Sequence, residues 1–250
     1  MKINIEIKSH DGPGRFGKLE GKQTPTIIDK DEYKIAPDES SSYNIQKEIA
    51  ELCVRKTIEK AKIAIQSDEN YNVAVVQGSK YIDLRVKCIK ELENLGYSAF
   101  IIANGDDLLL NSRDLVELIV NLRENISPNS ILIFPFAEPS FIPILSYMGI
   151  DGFFNDCADY YSYLNVLLTP TKTYDLNEYK IYENKTKEEI AKYNEDTIDF
   201  VLKEVRAHMK NRSLRNLVEE RSLTSPQNLS TLKILDKKYK DYLLKYTQIY

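Results

Sequence analysis

Between residues 73 and 154, short runs of wholly apolar residues alternate with longer stretches whose apolar positions recur at helical spacing. The apolar runs are Val73-Ala74-Val75-Val76, residues 99–103, residues 131–136 and Gly149 through Phe154. Residues 80–95, 113–124 and 140–148 lie between them and read as helices. Strands that are apolar throughout and separated by helical segments predict βαβ units in a parallel sheet covered on both faces. Right-handed crossovers of this kind build a doubly wound sheet or a (βα) barrel. About four such units are visible in the 250 residues, half the complement of a full barrel. The expected fold is α/β, an incomplete or shortened TIM-like (βα) barrel with parallel strands.

The flanks follow other rhythms. Ile3, Ile5 and Ile7 alternate with polar residues as a strand does, and His10-Asp11-Gly12-Pro13-Gly14 is turn chemistry. Residues 15–19 return as a second strand. Residues 24–28 form a third, or add a strand to the parallel sheet. Together these predict a small N-terminal β element. A polar, acidic stretch over residues 29–42 precedes a helix over 44–66, with Ile45, Ile49, Leu52, Cys53, Thr57, Ile58 and Ile65 near one face. Residues 164–168 add one further strand. Residues 187–210 and 213–221 read as helices, Pro226 interrupts, and residues 228–246 form a last helix. The expected organisation is a barrel-derived domain over residues 1–180 and a helical, basic C-terminal region over 181–250 packed on it.

Composition narrows the class. Hydrophobic residues make up 42% and charged residues 29%, enough for a folded core. No apolar run approaches the roughly 20 residues of a membrane span, and the N-terminus lacks the apolar core of a signal peptide. The expectation is a cytoplasmic protein with no membrane partner. Cys53, Cys88 and Cys157 are far apart, and only His10 and His208 are present, which argues against a disulfide framework, a metal site or a histidine-based triad. No metal or cofactor is expected. The net charge of −4 is uneven: residues 201–250 hold eleven Lys and Arg against five acids, a net +6, which leaves −10 on the first 200 residues. The basic tail suits a polyanion partner or is a solvated helical face.

The chemistry concentrates in Val73 through Arg85. Gln77-Gly78 follows the first apolar strand, and the carboxyl ends of parallel strands are where such folds place ligand-binding groups. A glutamine amide both donates and accepts hydrogen bonds, which suits a nucleobase edge; it equally suits capping a loop. Asp38 lies before the first long helix, as an N-cap or as a second polar reader.

Taken together, these segments resemble the tRNA-guanine transglycosylase family. Val76-Gln77-Gly78 followed by Tyr81-Ile82-Asp83-Leu84-Arg85 is similar to the family's V-Q-G and Y-x-D-L-R signature. Ile35-Ala36-Pro37-Asp38-Glu39-Ser40, then Tyr43 and a long helix, resembles its F-D-E-C-type loop. In that family the loop aspartate and the strand-end glutamine hydrogen-bond a guanine or 7-deazaguanine base, so the resemblance implies base binding by Asp38, Gln77 and Gly78. The segment Gly149 through Cys157 resembles the region of the family's nucleophilic aspartate, with an insertion, and implies Asp156 as the catalytic candidate. No match to the family's D-S-G-G-F-Q segment precedes Asp38, and its C-x-C-x-x-C zinc site is absent after residue 157.

Val166-Leu167-Leu168-Thr169-Pro170 and Ser213 through Arg221 before Pro226 are similar to the archaeosine synthase branch. That branch works on 7-cyano-7-deazaguanine at position 15 of tRNA. The resemblance implies a transglycosylase-like subunit of archaeosine synthase in shortened or split form. It implies tRNA as partner, with Arg212, Arg215, Lys237, Lys238 and Lys240 as phosphate contacts. It also implies a second subunit bearing the family's further motif and PUA domain, with a homo-oligomer as another possible assembly. Two other readings stay open: a minimal active transglycosylase using Asp156, and a non-catalytic assembly partner.

Overall fold

The computed structural model describes residues 3, 5–67, 69–180 and 185–246. The expected N-terminal strand therefore includes one residue, position 4, outside the described residues. The expected domain boundary at 180/181 abuts four more, 181–184.

The chain opens with an antiparallel meander of β1 (Ile5–Asp11), β2 (Gly14–Leu19) and β3 (Lys22–Thr24). Strand β4 (Thr26–Ile27) then leaves the meander and pairs parallel with a strand far along the chain, so the expected strand over 24–28 divides between two sheets. Helix α1 (Lys47–Ile65) follows, then β5 (Val73–Val76), α2 (Ile82–Asn94), β6 (Ala99–Ile102), α3 (Gly105–Leu110), α4 (Ser112–Glu124), β7 (Ile131–Phe134), α5 (Ile142–Tyr147) and β8 (Gly152–Phe153). Helix α1 starts nine residues after Asp38, which rules out the reading of Asp38 as its N-cap.

The parallel sheet has the order β4-β8-β7-β6-β5, and Ile35 adds a single parallel bridge to Val73 on the outer edge of β5. Residues 28–34 thus join the two edges. Val73, Ala99 and Ile131 lie in register on one face, as do Val75, Ile101 and Ile133; the intervening Ala74, Val76, Phe100, Ile102, Leu132 and Phe134 face the helices. Ile28 and Val73, from opposite edges, line the same interior with Ile3, Leu19 and Tyr33. The sheet is therefore curled, and the meander plugs its interior with Ile3, Ile5 and Leu19. Gly152 leaves room for Ile28, whose Cγ1 lies 2.7 Å from where a Cβ would stand. This is the expected shortened barrel, closed by side chains rather than by a full ring of strands.

After β8 the expectations change in detail. Helix α6 (Asp156–Tyr163) has no counterpart among the predicted elements, and β9 (Val166–Leu168) pairs with β10 (Thr173–Asp175) as a separate antiparallel hairpin instead of extending the parallel sheet. A short α7 (Leu176–Tyr179) leads to the helical region: α8 (Lys187–Lys210), α9 (Leu214–Ser222), α10 (Pro226–Lys238) and α11 (Lys240–Leu244). A capping box of Thr186 and Glu189 starts α8. Pro226 does not interrupt a helix but begins α10, where its missing N–H costs nothing, and Ser225 caps it by accepting from the Asn228 N–H. Ile198, Val201, Leu202, Leu217 and Leu235 join the same buried cluster as the outer face of the sheet.

Candidate functional site at the strand carboxyl ends

Backbone pairing delivers both base-reading candidates to one place. The bridge at Ile35 and the bond from the Ala36 N–H to the Val73 carbonyl run the Asp38 segment alongside β5. Thr57 and Lys60 of α1 pin it: the Thr57 hydroxyl accepts from the Glu39 N–H at 3.0 Å, and Lys60 Nζ donates to the Asp38 carbonyl and the Glu39 carboxylate, each at 2.7 Å. Gln77 follows directly on β5 and is 2% exposed. Its Nε2 donates to Asp38 Oδ2 at 2.6 Å, while Ser41 Oγ, 2.9 Å from Ser79 Oγ, donates to Gln77 Oε1 at 3.4 Å. Two neighbours thus fix which way the amide faces. Asp38 remains partly exposed and keeps acceptor capacity for a ligand.

Gly78 has φ +145°, and a Cβ there would stand 2.8 Å from the Arg85 backbone nitrogen. It lets the strand turn tightly against the start of α2. The Asp83-Leu84-Arg85 triplet then divides its work. Asp83 pairs with Lys47 of α1 at 2.6 Å, Leu84 enters the core, and Arg85 is fully buried. The Arg85 guanidinium donates to the carbonyls of Ser79 (2.8 Å), Val76 (2.7 Å) and Ala103 (2.9 Å) and to Asn104 Oδ1 (3.0 Å). Burial pulls its pKa down to about 10. It ties together the carboxyl ends of β5 and β6 directly beneath the Gln77 turn. Asn104, left-handed at φ 59°, passes this order on by donating from Nδ2 to the Ser41 carbonyl at 2.9 Å. Neither Asn104 nor Ser41 stands out in the sequence; the Asn104-Gly105 turn dipeptide after β6 is the trace Asn104 leaves there.

Asn104 also borders a cavity of about 830 Å³, which lies over the ends of β6, β7 and β8. Asp156 lines it as the first residue of α6, half-exposed and ion-paired with Lys30, whose ammonium also lies 4.8 Å from the Phe154 ring centroid. Gln77 and Asp156 therefore both follow strand carboxyl ends, but on strands at different positions in the sheet. Cys157 and Cys88 offer no nucleophile, since burial pushes both thiols up to about 12. Among the described residues no group of three or more His, Cys, Asp or Glu is placed to hold a metal ion, and no helix is long and apolar enough to cross a membrane.

The basic candidates separate. Arg215 is committed to Asp236 through two bonds of 2.6 and 2.7 Å and to Glu219 at 2.7 Å. Arg212 is exposed at the turn between α8 and α9. Lys237 and Lys238 end α10, and Lys240 begins α11, all exposed and with no carboxylate partner among the described residues.

Comparison with known proteins gives the chain's relatives. The chain is 31% identical over 156 residues to archaeosine synthase of Methanocaldococcus jannaschii, covering 62% of this chain and 25% of the relative. It is 26% identical over 236 residues to the tRNA-guanine(15) transglycosylase of the same organism, covering 82% and 36%. To the archaeosine synthase subunit alpha of Thermococcus kodakarensis it is 23% identical over 270 residues, covering 98% and 43%. The chain thus spans between 25% and 43% of the lengths of these relatives. The model of the queuine tRNA-ribosyltransferase family matches residues 33–196, the stretch from the Asp38 segment through the curled sheet and into α8, and the chain belongs to that family.

Proposed function

We propose that this chain is the tRNA-docking, base-recognising unit of archaeosine synthase, acting on a 7-deazaguanine at position 15 of tRNA with a second polypeptide. The observation that supports this best is the Asp38–Gln77 pair, a carboxylate and an oriented amide 2.6 Å apart at a strand carboxyl end. A carboxylate accepts from the N1 and N2 protons of a guanine-like edge, and the second Nε2 proton of Gln77 is left to donate to its O6. That relatives of this chain bear the names archaeosine synthase and tRNA-guanine(15) transglycosylase supports the reading. Lys237, Lys238 and Lys240 supply phosphate contacts, and Arg212 at the turn between α8 and α9 adds another; Arg215 serves to hold α9 against α10.

Asp38→Asn keeps the shape and removes the charged acceptor. It is expected to weaken binding of tRNA carrying 7-cyano-7-deazaguanine by about ten-fold or more, with a smaller effect on bulk tRNA. Equal binding by the variant and the unaltered chain would reject the base-reading role. Changing Lys237, Lys238 and Lys240 to Glu should lower tRNA affinity several-fold and flatten its salt dependence. A second reading, base exchange with Asp156 as nucleophile, draws support from the place of Asp156 in the cavity that Asn104 joins to the Gln77 turn. Incorporation of labelled guanine into tRNA, abolished by Asp156→Asn, would establish it; no incorporation with any partner present would dismiss it.

A further inference from the structure

We propose that the outer face of α1 is an interface between two copies of this chain, which pair α1 against α1 in antiparallel orientation about a two-fold axis. The proposal goes beyond the reading of RNA as partner and does not depend on it. Three observations carry it.

The first is where α1 puts its large apolar residues. The face it buries is made mostly of small side chains, Ala50, Cys53, Thr57, Ala61 and Ala64. Ile49, Leu52 and Ile63 instead face solvent, 43%, 38% and 72% exposed. Single exposed apolar residues are ordinary on a protein surface, but an aligned set marks a contact face.

The second is their spacing. Ile49, Leu52, Lys56, Glu59 and Ile63 follow one another at steps of three, four, three and four residues. That alternation keeps one line of a helix against a neighbouring helix. At about 100° per residue the five fall within an arc of about 80°, and they run about 21 Å along the axis. Helix α1 packs on α2 and β5, and no helix or strand among the described residues covers this seam. Leu52 also borders a groove towards α2 with Ile58 and Glu91, which lets a second copy reach α2 as well.

The third is charge, which makes the seam complementary to itself in one orientation. With Leu52 laid against Ile63 of a second copy running the other way, Lys56 meets that copy's Glu59. The two-fold axis then sets Ile63 against Leu52 and Glu59 against Lys56. Both apolar contacts and both charge pairs form together. A parallel pair would instead set Lys56 on Lys56 and Glu59 on Glu59, so the charges select the antiparallel one. Both groups are open to a new partner. Glu59 has no ion-pair partner among the described residues, and Lys56 reaches Glu39 only at 3.6 Å, where Lys60 already holds the carboxylate at 2.7 Å.

The test is sedimentation equilibrium of the full chain between about 1 and 100 μM, the range suited to an interface of little more than one helix pair. A reversible monomer–dimer equilibrium is expected. Ile63→Lys, at a position too exposed to matter for folding, should weaken the dimer about ten-fold or more. Leu223→Lys, at an equally exposed apolar residue outside the seam, should leave it unchanged. Glu59→Lys should weaken it several-fold, and adding Lys56→Glu should restore it. The same register brings Arg55 near Lys62 of the second copy, so Lys62→Glu should tighten the dimer. Leu52→Cys with Ile63→Cys should oxidise to a covalent dimer, since Cys53, Cys88 and Cys157 are buried and do not compete. A chain monomeric throughout the range, or a dimer indifferent to Ile63→Lys, would overturn the interface. Efficient cross-linking by Leu52→Cys alone, or no recovery when Lys56→Glu joins Glu59→Lys, would overturn the antiparallel pairing. Failure of the Asp38 test on modified tRNA leaves this one standing, and the reverse holds too.

Discussion

Gly78 shows how one residue sets the site. Its left-handed backbone leaves no room for a side chain, since a Cβ there would come within 2.8 Å of the Arg85 nitrogen. Gly78→Ala should therefore cost about 1–3 kcal/mol in urea unfolding, by crowding a packed turn and straining its backbone. His10 makes a separate prediction. It stacks on Tyr246 with centroids 4.6 Å apart, its Nδ1 is buried without a hydrogen bond, and burial, then the nearby Arg15, lowers its pKa. The folded state thus binds this proton less well than the unfolded chain does. Stability from this group is full above the ordinary imidazole value of 6.5 and is lost as pH falls from there through the folded value. His10→Phe keeps a ring to stack and removes the titration, so its stability should fall less steeply below that pH than that of the unaltered chain. That Asp38 and Gln77 stand out was legible in the sequence, because a polar pair flanking an apolar strand end shows in residue type alone, and the structure brings the two together. Arg85 and Asn104 were not, since a buried guanidinium satisfied by carbonyls of two strands exists only once those strands are adjacent.

At the scale of elements, legibility followed length and period. The apolar runs at β5, β6 and β7 and the long helices α1, α2, α4 and α8 repeat their pattern often enough to be read. Helices α3 and α6, with 6 and 8 residues, and the three-residue strand β10 do not complete enough turns or alternations to declare themselves, so β9, itself expected, stands in the sequence without its hairpin partner. Pro226 illustrates a different ambiguity: the same residue that ends one helix is well suited to the first turn of the next. Ser225 decides the matter by capping α10. Ser225→Ala should cost about 1 kcal/mol, read as a lowered urea midpoint at unchanged slope. Because the cap stands next to Pro226, which borders the cavity, the variant should loosen that segment before it affects the sheet.

At the scale of the whole molecule, a curled sheet with few strands has to be held shut by something other than hydrogen-bonded neighbours. Part of the answer is the apolar plug of Ile3, Ile5 and Leu19. The rest is a buried ionic knot around Asp151, which is fully inaccessible. Arg15 of β2 meets it with two bonds of 2.8 and 2.9 Å, Arg123 of α4 with one of 2.7 Å, and the Leu132 N–H of β7 with one of 3.0 Å. Arg15 and Arg123 also share the Ser130 carbonyl, so meander, helix layer and sheet meet at one carboxylate. Burial, then the charge of Arg15, lowers the pKa of Arg123, which marks how much the pair of cations depends on the anion between them. Asp151→Asn leaves two guanidinium groups buried with no counter-charge and should cost about 3–5 kcal/mol by urea unfolding. If the cost comes from the orphaned cations, adding Arg15→Met and Arg123→Met to Asp151→Leu should recover part of it, since no buried charge remains; the carbonyls of Ser130 and Gly149 then lose their donors, which limits the recovery. A triple variant no more stable than Asp151→Asn would instead mean that the knot holds the curl through its geometry, by fixing the meander against the sheet, and not through charge compensation.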